Sequence, residues 1–283
     1  LLHRLVVIGL ALLAALCAAV GIVLRQRATQ AVPAEHGVGG TLVATVMTNT
    51  SWWAGTGVAV VGYVCQALAL SHGSLLLVQP LLVSSLLFAL PLGARLSHRR
   101  VTTHEWMWAV LLTVALAAFV VVGQPREGHN RPPVLAWALV ASIFIPVVAV
   151  CVAVGRRVVE RRRAVLLAVA VAILFATVAV LTKICAHRLA VGGLKALLEV
   201  PAPYLLVTLA VAATVLQQSA FHAGALQMSV PTMLVGEPLI AVLLGVIVLG
   251  EHLAVAGREV VLLPLAVGAM VAATIALARN AAA

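Results

Sequence analysis

The feature that most constrains the fold of this chain is a series of nine long apolar runs. Each run holds about 18 to 23 residues, and roughly 20 helical residues cross the ~30 Å hydrocarbon core of a bilayer. The runs occupy residues 5–24, 51–71, 74–96, 106–123, 133–154, 164–183, 203–225, 230–250 and 258–278. They lack the apolar–polar alternation of membrane β-strands. The sequence therefore predicts an all-α integral membrane protein with about nine transmembrane helices.

Composition argues against a soluble globular protein. Hydrophobic residues make up 64% of the chain and charged residues 9%, whereas a soluble domain carries roughly 45–50% apolar and about 25% charged residues. The net charge of +10 does not indicate a nucleic-acid partner, because the basic residues lie in the short loops where membrane proteins concentrate them. The lipid bilayer is therefore an expected partner, and nucleic acid is not.

The distribution of Lys and Arg predicts the orientation of the chain in the membrane. Most of the 18 Lys and Arg residues fall on the side that holds the loop GRRVVERRR, residues 155–163. Because cytoplasmic loops are enriched in Lys and Arg, we expect a plasma-membrane protein with its N-terminus outside and its C-terminus in the cytoplasm. Residues 26–50 are expected to form a loop with a half-helix or an early extension of the second span.

Two apolar runs share an element in which a polar residue is followed directly by proline. Gln79 precedes Pro80 in LLLVQPLL, and Glu237 precedes Pro238 in MLVGEPLI. Aligning the two prolines also places LPLGARL (90–96) beside IVLGEHL (247–253), with one residue of slip. In the predicted topology the two runs cross the membrane in opposite directions, so the two copies are inverted.

Inverted repeats with interrupted helices at matching positions are typical of secondary transporters, whose substrate site lies near the bilayer midplane. A proline removes one helical hydrogen bond and bends a helix. We therefore expect the third and eighth spans to bend close to Pro80 and Pro238 and to face each other. Either kink taken alone can instead serve helix packing, but the repetition favours a role in lining a cavity.

With these elements the chain resembles the drug/metabolite transporter superfamily. The stretch GEPLIAVLLGVIVLGEHL resembles the Glu-Pro and Leu-Gly-Glu elements of the second EamA-type repeat. After residue 50, the order SWWAG, QALALSHGSLLLVQPLL and VTTHEWMWAVLL is similar to a nine-helix branch, the NIPA-type magnesium transporters. The resemblance implies two inverted repeats, which we place at residues 1–128 (helices 1 to 4) and 129–283 (helices 5 to 9).

The chain departs from this resemblance in ways that bear on the substrate. Tyr63 stands where the NIPA-type branch carries a Glu, and Ala94 stands where EamA-type repeats often carry one. The superfamily implies ten helices, whereas nine are predicted here, so we expect one N-terminal helix to be missing from this sequence. The chain also contains no Asp, although Mg²⁺ prefers oxygen ligands. Magnesium transport is therefore the alternative rather than the first prediction.

The candidate substrate-binding or coupling residues are polar side chains within the apolar runs. Glu237 comes first, because an ionisable residue inside the membrane indicates a functional site, and its carboxyl can exchange a proton for substrate. Gln79 is its neutral counterpart. Lys183 is expected to extend to the interface, or else to pair with a substrate anion or with Glu237. The full set is Glu237, Gln79, Gln66, Gln218, Lys183 and His222. For Glu237 and Gln79 the alternative is a hydrogen bond between helices, and for His222 it is ordinary packing.

Other polar residues are expected to have local structural roles. Glu251 and His252 follow the eighth span and are predicted to form a turn and a cap. The sequence TTHE (102–105) fits a capping box for the fourth span. The four cysteines are expected to be small packing residues. The sequence contains no catalytic motif, phosphate-binding loop or Cys/His metal spacing, so neither enzyme activity nor a cofactor is expected.

The function predicted from the sequence is secondary transport of a small polar or amphipathic solute by alternating access, with proton coupling as an option. The first alternative is a NIPA-type divalent cation transporter, with an ion as the substrate. The second alternative belongs to a different class, a membrane scaffold protein that transports nothing.

Overall fold

The computed structural model describes residues 2–30, 50–96, 101–126, 128, 133–158, 160–222, 226–254 and 259–281. These ranges form ten α-helices and one pair of short β-strands. Their order is α1 (Leu2–Gln30), α2 (Thr50–His72), α3 (Leu75–Leu82), α4 (Ser85–Leu96), α5 (Thr103–Gly123), β1 (Pro125–Arg126), α6 (Val134–Gly155), α7 (Glu160–Leu198), α8 (Ala202–His222), α9 (Leu226–Leu249), β2 (His252–Leu253) and α10 (Glu259–Ala281).

The helices match the predicted membrane spans. In the described ranges, 8 helical segments are long and apolar enough to cross a membrane. The apolar part of α8, Ala202–Gln217, is a shorter apolar helix. Apolar side chains such as Val134, Leu135 and Ile145 on α6 lie on the outside of the bundle. Such exposure is expected where the surrounding solvent is hydrocarbon. The prediction of an all-α, multi-pass membrane protein is confirmed.

The uncertain segment after the first span is resolved only in part. Residues 26–30 continue α1, which ends at Gln30. Residues 31–49 lie outside the described residues, and α2 begins at Thr50. The choice between a half-helix and an early extension of the second span therefore stays a prediction for residues 31–49.

The third span is interrupted between α3 and α4. The backbone N–H groups of Val83 and Ser84 donate to the carbonyls of Pro80 and Leu81, three residues back, at 3.1 and 3.0 Å. The Ser84 hydroxyl also donates to the Leu81 carbonyl at 2.6 Å. Pro80 has no N–H, so the helix is already weakened one turn earlier. The α-helical hydrogen bonding is thus interrupted at residues 83–84, where Val83 keeps helical dihedral angles (φ −61°, ψ −24°), and the bend expected at Pro80 stays a prediction.

The eighth span is not interrupted as the third span is, and the bend expected at Pro238 stays a prediction. α9 contains Pro231 and Pro238 and yet remains one helix from Leu226 to Leu249. A single proline removes one intrahelical hydrogen bond, and neighbouring helices can hold the remainder in place. The expected packing of the two proline-containing spans is observed, because α3 lies against α9.

α7 is longer than the predicted sixth span. It runs for 39 residues from Glu160 to Leu198, well beyond the predicted end at Lys183. Gly193, with φ 68° and ψ −169°, separates its last turn from the rest. This backbone conformation is essentially restricted to glycine. Because the helix continues past residue 183, Lys183 lies within a helix and not at its end.

Small residues bring α1 and α2 close together. A Cβ atom at Gly21 would lie 2.9 Å from the carbonyl oxygen of Gly55, and one at Gly62 would lie 2.9 Å from the Cβ of Cys17. Glycine at such positions lets membrane helices pack with their backbones nearly in contact. Cys17 is thus a small packing residue, as the sequence predicted.

The capping box predicted at the start of the fourth span is confirmed. The hydroxyl oxygen of Thr102 accepts from the backbone N–H of Glu105 at 3.2 Å, and the Glu105 carboxylate accepts from the Thr102 N–H at 2.8 Å. The two residues satisfy each other's backbone donors where α5 begins.

The two ends of the bundle are defined by the alternating direction of the spans. The start of α1, the α2–α3 turn and the ends of α5 and α9 gather at one end, where β1 pairs antiparallel with β2. Arg4 donates to the Pro125 carbonyl there at 3.2 Å. We call this end the strand face. The opposite end, with the loop between α6 and α7, is the arginine face.

Candidate functional site

The centre of the candidate site is the carboxylate of Glu251, just after α9. Gly250 adopts a left-handed conformation, with φ 63°, and ends the helix. The Glu251 N–H then donates to the Gly245 carbonyl at 3.0 Å. Glycine after the last turn is the usual way to end a helix in this manner. The turn directs the Glu251 side chain back into the bundle, where the residue is 1% exposed.

The Glu251 carboxylate closes the N-terminus of α3. Its two oxygens accept from the backbone N–H groups of Leu75 and Leu76, at 3.0 and 3.1 Å. Ser74 accepts from the Leu77 N–H at 3.2 Å and caps the same helix end. The first N–H groups of a helix have no intrahelical partner and carry partial positive charge. A carboxylate from the second predicted half therefore stabilises a broken helix of the first half.

Gly245 allows this approach of α3 to the end of α9. A Cβ atom at residue 245 would lie 2.9 Å from a methyl carbon of Leu76 and 3.0 Å from a carboxylate oxygen of Glu251. Any larger side chain there would displace either the helix or its carboxylate cap.

Lys183 of α7 supplies the positive partner of Glu251. Its Nζ lies 2.6 Å from Glu251 Oε1 and donates to the Gly73 carbonyl at 2.8 Å. Both side chains are almost completely buried. The Lys183–Glu251 ion pair thus joins α7, the α2–α3 turn and the end of α9. The expectation that Lys183 reaches the interface is wrong, because α7 continues past residue 183 and keeps the side chain within the bundle. The ionic partner of Lys183 is Glu251 and not Glu237.

A second polar contact lies next to the ion pair. The Thr182 hydroxyl donates to the Val178 carbonyl at 2.8 Å, so it accepts from the Tyr63 hydroxyl, also at 2.8 Å. Tyr63 is the residue that stands in place of the Glu expected from the NIPA-type resemblance. Here it ties α2 to α7 one residue away from Lys183.

Gln79 is buried in α3 with an unsatisfied amide. The residue is 2% exposed, and its Nε2 has no hydrogen-bond partner within the part of the chain that the structure describes. Buried amide groups are nearly always paired, and leaving one unpaired costs about 1–3 kcal/mol. An orphaned donor on a broken helix in the bundle interior is therefore a feature that needs an explanation.

The remaining predicted side chains that the structure describes, those of Glu237 and Gln66, do not join this ion pair. Glu237 is half-buried in α9, and no hydrogen bond or ion pair to it is found among the described residues. Gln66 is half-buried in α2. Gln218 and His222 belong to α8, but their side chains lie outside the described residues. The roles predicted for these four side chains, and for Gln79, stay predictions.

No cluster of three or more His, Cys, Asp or Glu side chains suited to a metal ion is found among the described residues.

A cavity of about 480 Å³ opens beside the ion pair at the strand face. Its walls come from the start of α1, the α2–α3 turn, α3 and the segment 124–126. The Gly73 residue that accepts from Lys183 also lines this cavity, and so does Ser74. The ion pair therefore lies directly behind one cavity wall.

The fold and the site define a multi-pass, all-helical membrane protein with a buried ion pair near one end of its bundle. The chain is 35% identical over 270 residues to an uncharacterized protein of Corynebacterium glutamicum, a match that covers 95% of this chain and 93% of the relative. The chain belongs to the same protein family as this corynebacterial protein. No protein-family model matches the chain, and no solved structure matches it.

Proposed function

We propose that this protein is a secondary transporter of the drug/metabolite transporter type, which moves a small polar or amphipathic solute by alternating access. The observation that carries the proposal is the interruption of α-helical hydrogen bonding between α3 and α4. A helix interrupted inside the bundle, with a buried unpaired amide at Gln79, is a poor choice for packing alone. It is a suitable choice where backbone and side-chain polar groups face a substrate path.

The packing of the helices supports two inverted repeats. α1 packs along α2 as α7 packs along α8. α1 also contacts α3 and α4, as α7 contacts α9, and α5 packs along α10. A pseudo-two-fold axis would relate these pairs, with α3–α4 and α9 as equivalent spans on either side of it.

The Lys183–Glu251 ion pair serves in this proposal as the contact that closes the strand face. Both residues belong to the second predicted repeat, and their hydrogen bonds to Gly73, Leu75 and Leu76 connect it to the first. The pair is surrounded by protein, so it contributes most while the helices stay together. Opening of the strand face would separate Glu251 from the α3 N-terminus and expose both charges to water. Such a contact is either formed or broken, so it separates a closed from an open state of the strand face, as alternating access requires.

Glu237 is the residue we propose for proton or substrate coupling. It is half-buried near the middle of α9 and has no hydrogen-bond partner among the described residues. A carboxyl group without a fixed protein partner is available to a proton or to a solute. Gln79 cannot titrate, so coupling in this proposal belongs to the second repeat alone.

Cysteine labelling tests whether the strand face opens. A variant lacking Cys17, Cys65, Cys151 and Cys185 would carry the substitution Gln79→Cys, and a membrane-impermeant maleimide would be added at the strand face. We expect slow labelling with the Lys183–Glu251 pair intact and faster labelling when Glu251→Gln is added. The control is Leu112→Cys on α5, which is fully buried and should stay protected in both backgrounds.

Equal labelling of Gln79→Cys with and without Glu251→Gln would contradict alternating access and favour the membrane scaffold. Labelling of Leu112→Cys would show unfolding instead of opening. The substrate is then sought by a thermal-shift screen in detergent, followed by uptake into proteoliposomes with Glu237→Gln as the inactive comparison.

A further inference from the structure

The strand-face cavity is lined by basic and ionisable side chains from three separate segments. Arg4 and His3 come from the start of α1, His72 from the end of α2, and Arg126 from β1. The His3 and His72 rings lie 6.0 Å apart between centroids. Chain segments distant in sequence therefore place two guanidinium groups and two imidazoles around one space.

These four side chains have no acidic partner among the described residues. No ion pair to His3, Arg4, His72 or Arg126 is found within the described ranges. Glu251 lies behind the wall, but its oxygens are occupied by Lys183 and by the N–H groups of Leu75 and Leu76. No described lining residue carries a carboxylate. The charged side chains among the described lining residues are therefore the two arginines.

The arginines are positioned to donate into the cavity. Arg4 uses one Nη2 hydrogen bond to hold the Pro125 carbonyl at 3.2 Å, and a guanidinium has five N–H donors in a planar fork. This one contact fixes the fork and leaves other donors available. The Arg126 backbone is held by pairing with His252, and its side chain lines the same cavity. Guanidinium forks match the oxygens of phosphate and carboxylate groups.

We propose that this cavity is a binding site for an oxyanion, a phosphate or carboxylate group that Arg4 and Arg126 hold with His3, His72 and the Gln124 amide. Its volume of about 480 Å³ lies within the range of small-molecule sites, roughly 300–1,000 Å³. The anion belongs either to a free solute or to a lipid headgroup. Leu5 and Val6, next to Arg4, are more than half exposed, so acyl chains can lie directly beside the cavity.

The first arm of the test measures inorganic phosphate with the full chain in a neutral detergent. Calorimetric and thermal-unfolding titrations compare phosphate with chloride at equal ionic strength, so that charge screening is the same. We expect saturable, phosphate-specific binding and a rise in Tm. The Arg126→Gln variant should weaken binding roughly tenfold or more, the usual effect of losing a charge-assisted hydrogen bond. Arg156→Gln, an exposed arginine on the arginine face, is the matched control and should bind as wild type.

The second arm uses nanodiscs of phosphatidylcholine with or without phosphatidylglycerol. A Tm rise with phosphatidylglycerol that Arg126→Gln removes, and Arg156→Gln does not, would identify a lipid headgroup as the source. Saturable phosphate binding without this lipid effect would identify a free solute. Two results would overturn the proposal: no Arg126-dependent binding in either arm, or an equal loss of binding in Arg156→Gln.

Both variants are expected to fold. The Arg126 side chain makes no hydrogen bond or ion pair with another described residue, and its strand pairing uses only the backbone. The Tm of the ligand-free variants, measured in the same titrations, verifies this. The proposal concerns binding at the strand face and does not depend on whether the protein transports a solute.

Discussion

Removal of the Glu251 carboxylate should destabilise the bundle more than removal of its ionic partner, Lys183. Breaking a buried ion pair by deleting one member costs about 3–5 kcal/mol. Glu251→Ala also leaves the N–H groups of Leu75 and Leu76 unpaired, at about 1–3 kcal/mol each. The cavity behind Gly73 and Ser74 can admit water to the unpaired groups. We therefore take the lower end of both free-energy ranges, about 3 kcal/mol for the pair and about 1 kcal/mol for each N–H group. The expected cost of Glu251→Ala is therefore about 5 kcal/mol in the free energy of unfolding.

Lys183→Met should cost less, about 3 kcal/mol, the lower value for breaking a buried pair. In that variant the Glu251 carboxylate keeps two backbone N–H donors and remains at a helix N-terminus, where a negative charge is favoured. The difference in the free energy of unfolding between Glu251→Ala and Lys183→Met thus measures how much the carboxylate cap stabilises the N-terminus of α3. The double variant, Lys183→Met with Glu251→Gln, should cost clearly less than the sum of its single substitutions, because no unpaired charge remains.

Equilibrium unfolding in mixed micelles of dodecyl sulfate and a neutral detergent, followed by tryptophan fluorescence, measures these differences. Arg157→Gln serves as the control, because Arg157 is exposed and surface substitutions stay within about 0.5 kcal/mol. The reasoning fails if Lys183→Met destabilises as much as Glu251→Ala. It also fails if both variants unfold like Arg157→Gln, since the pair would then contribute nothing.

Three further predictions follow from single side chains. Gln79→Leu should raise the free energy of unfolding in the same micelles by about 1–2 kcal/mol, because it removes an unpaired buried amide, while solute uptake into proteoliposomes falls; a loss of stability would show that the amide has a partner. Glu237→Gln should unfold like the wild type, since no described residue bonds to Glu237, yet should abolish coupled transport across a pH series; wild-type uptake would limit the carboxyl to a structural role. In intact cells His252→Cys should be labelled by an impermeant maleimide and Val158→Cys should not, with the reverse pattern contradicting an external strand face.

The membrane spans were predictable because each one is encoded by the hydropathy of a single continuous stretch of sequence. A run of about 20 apolar residues can only be accommodated in a bilayer as a helix, and the nine runs correspond to helices of the structure. The capping box at Thr102 is equally local, since both partners lie within one turn. The length of α7 was missed because the hydropathy falls after Lys183, whereas helix formation continues until the glycine at residue 193.

The ion pair was missed although the predicted topology contained a signal for it. The runs 164–183 and 230–250 both end at the strand face, so Lys183 and Glu251 are expected at the same membrane depth. Glu237 lies near the middle of its run, 14 residues before Glu251 and therefore about 20 Å deeper along a helix. A comparison of depths would have favoured Glu251 as the partner. The cap on α3 could not be predicted, because it depends on how α3 packs against α9, which no sequence period encodes.

The 68 residues that separate Lys183 from Glu251 set an order of events during synthesis. At about 5–20 residues per second, Glu251 leaves the ribosome roughly 3 to 14 seconds after Lys183. Throughout that interval α7 carries a lysine whose ionic partner does not yet exist, and an unpaired lysine within a membrane helix is costly to bury. The nascent α7 can lower this cost by extending Lys183 to the interface. The Gly73 carbonyl is made before Lys183, but the Glu251 carboxylate is present only once α9 is complete, so we expect the N-terminus of α3 to receive its carboxylate cap late in assembly.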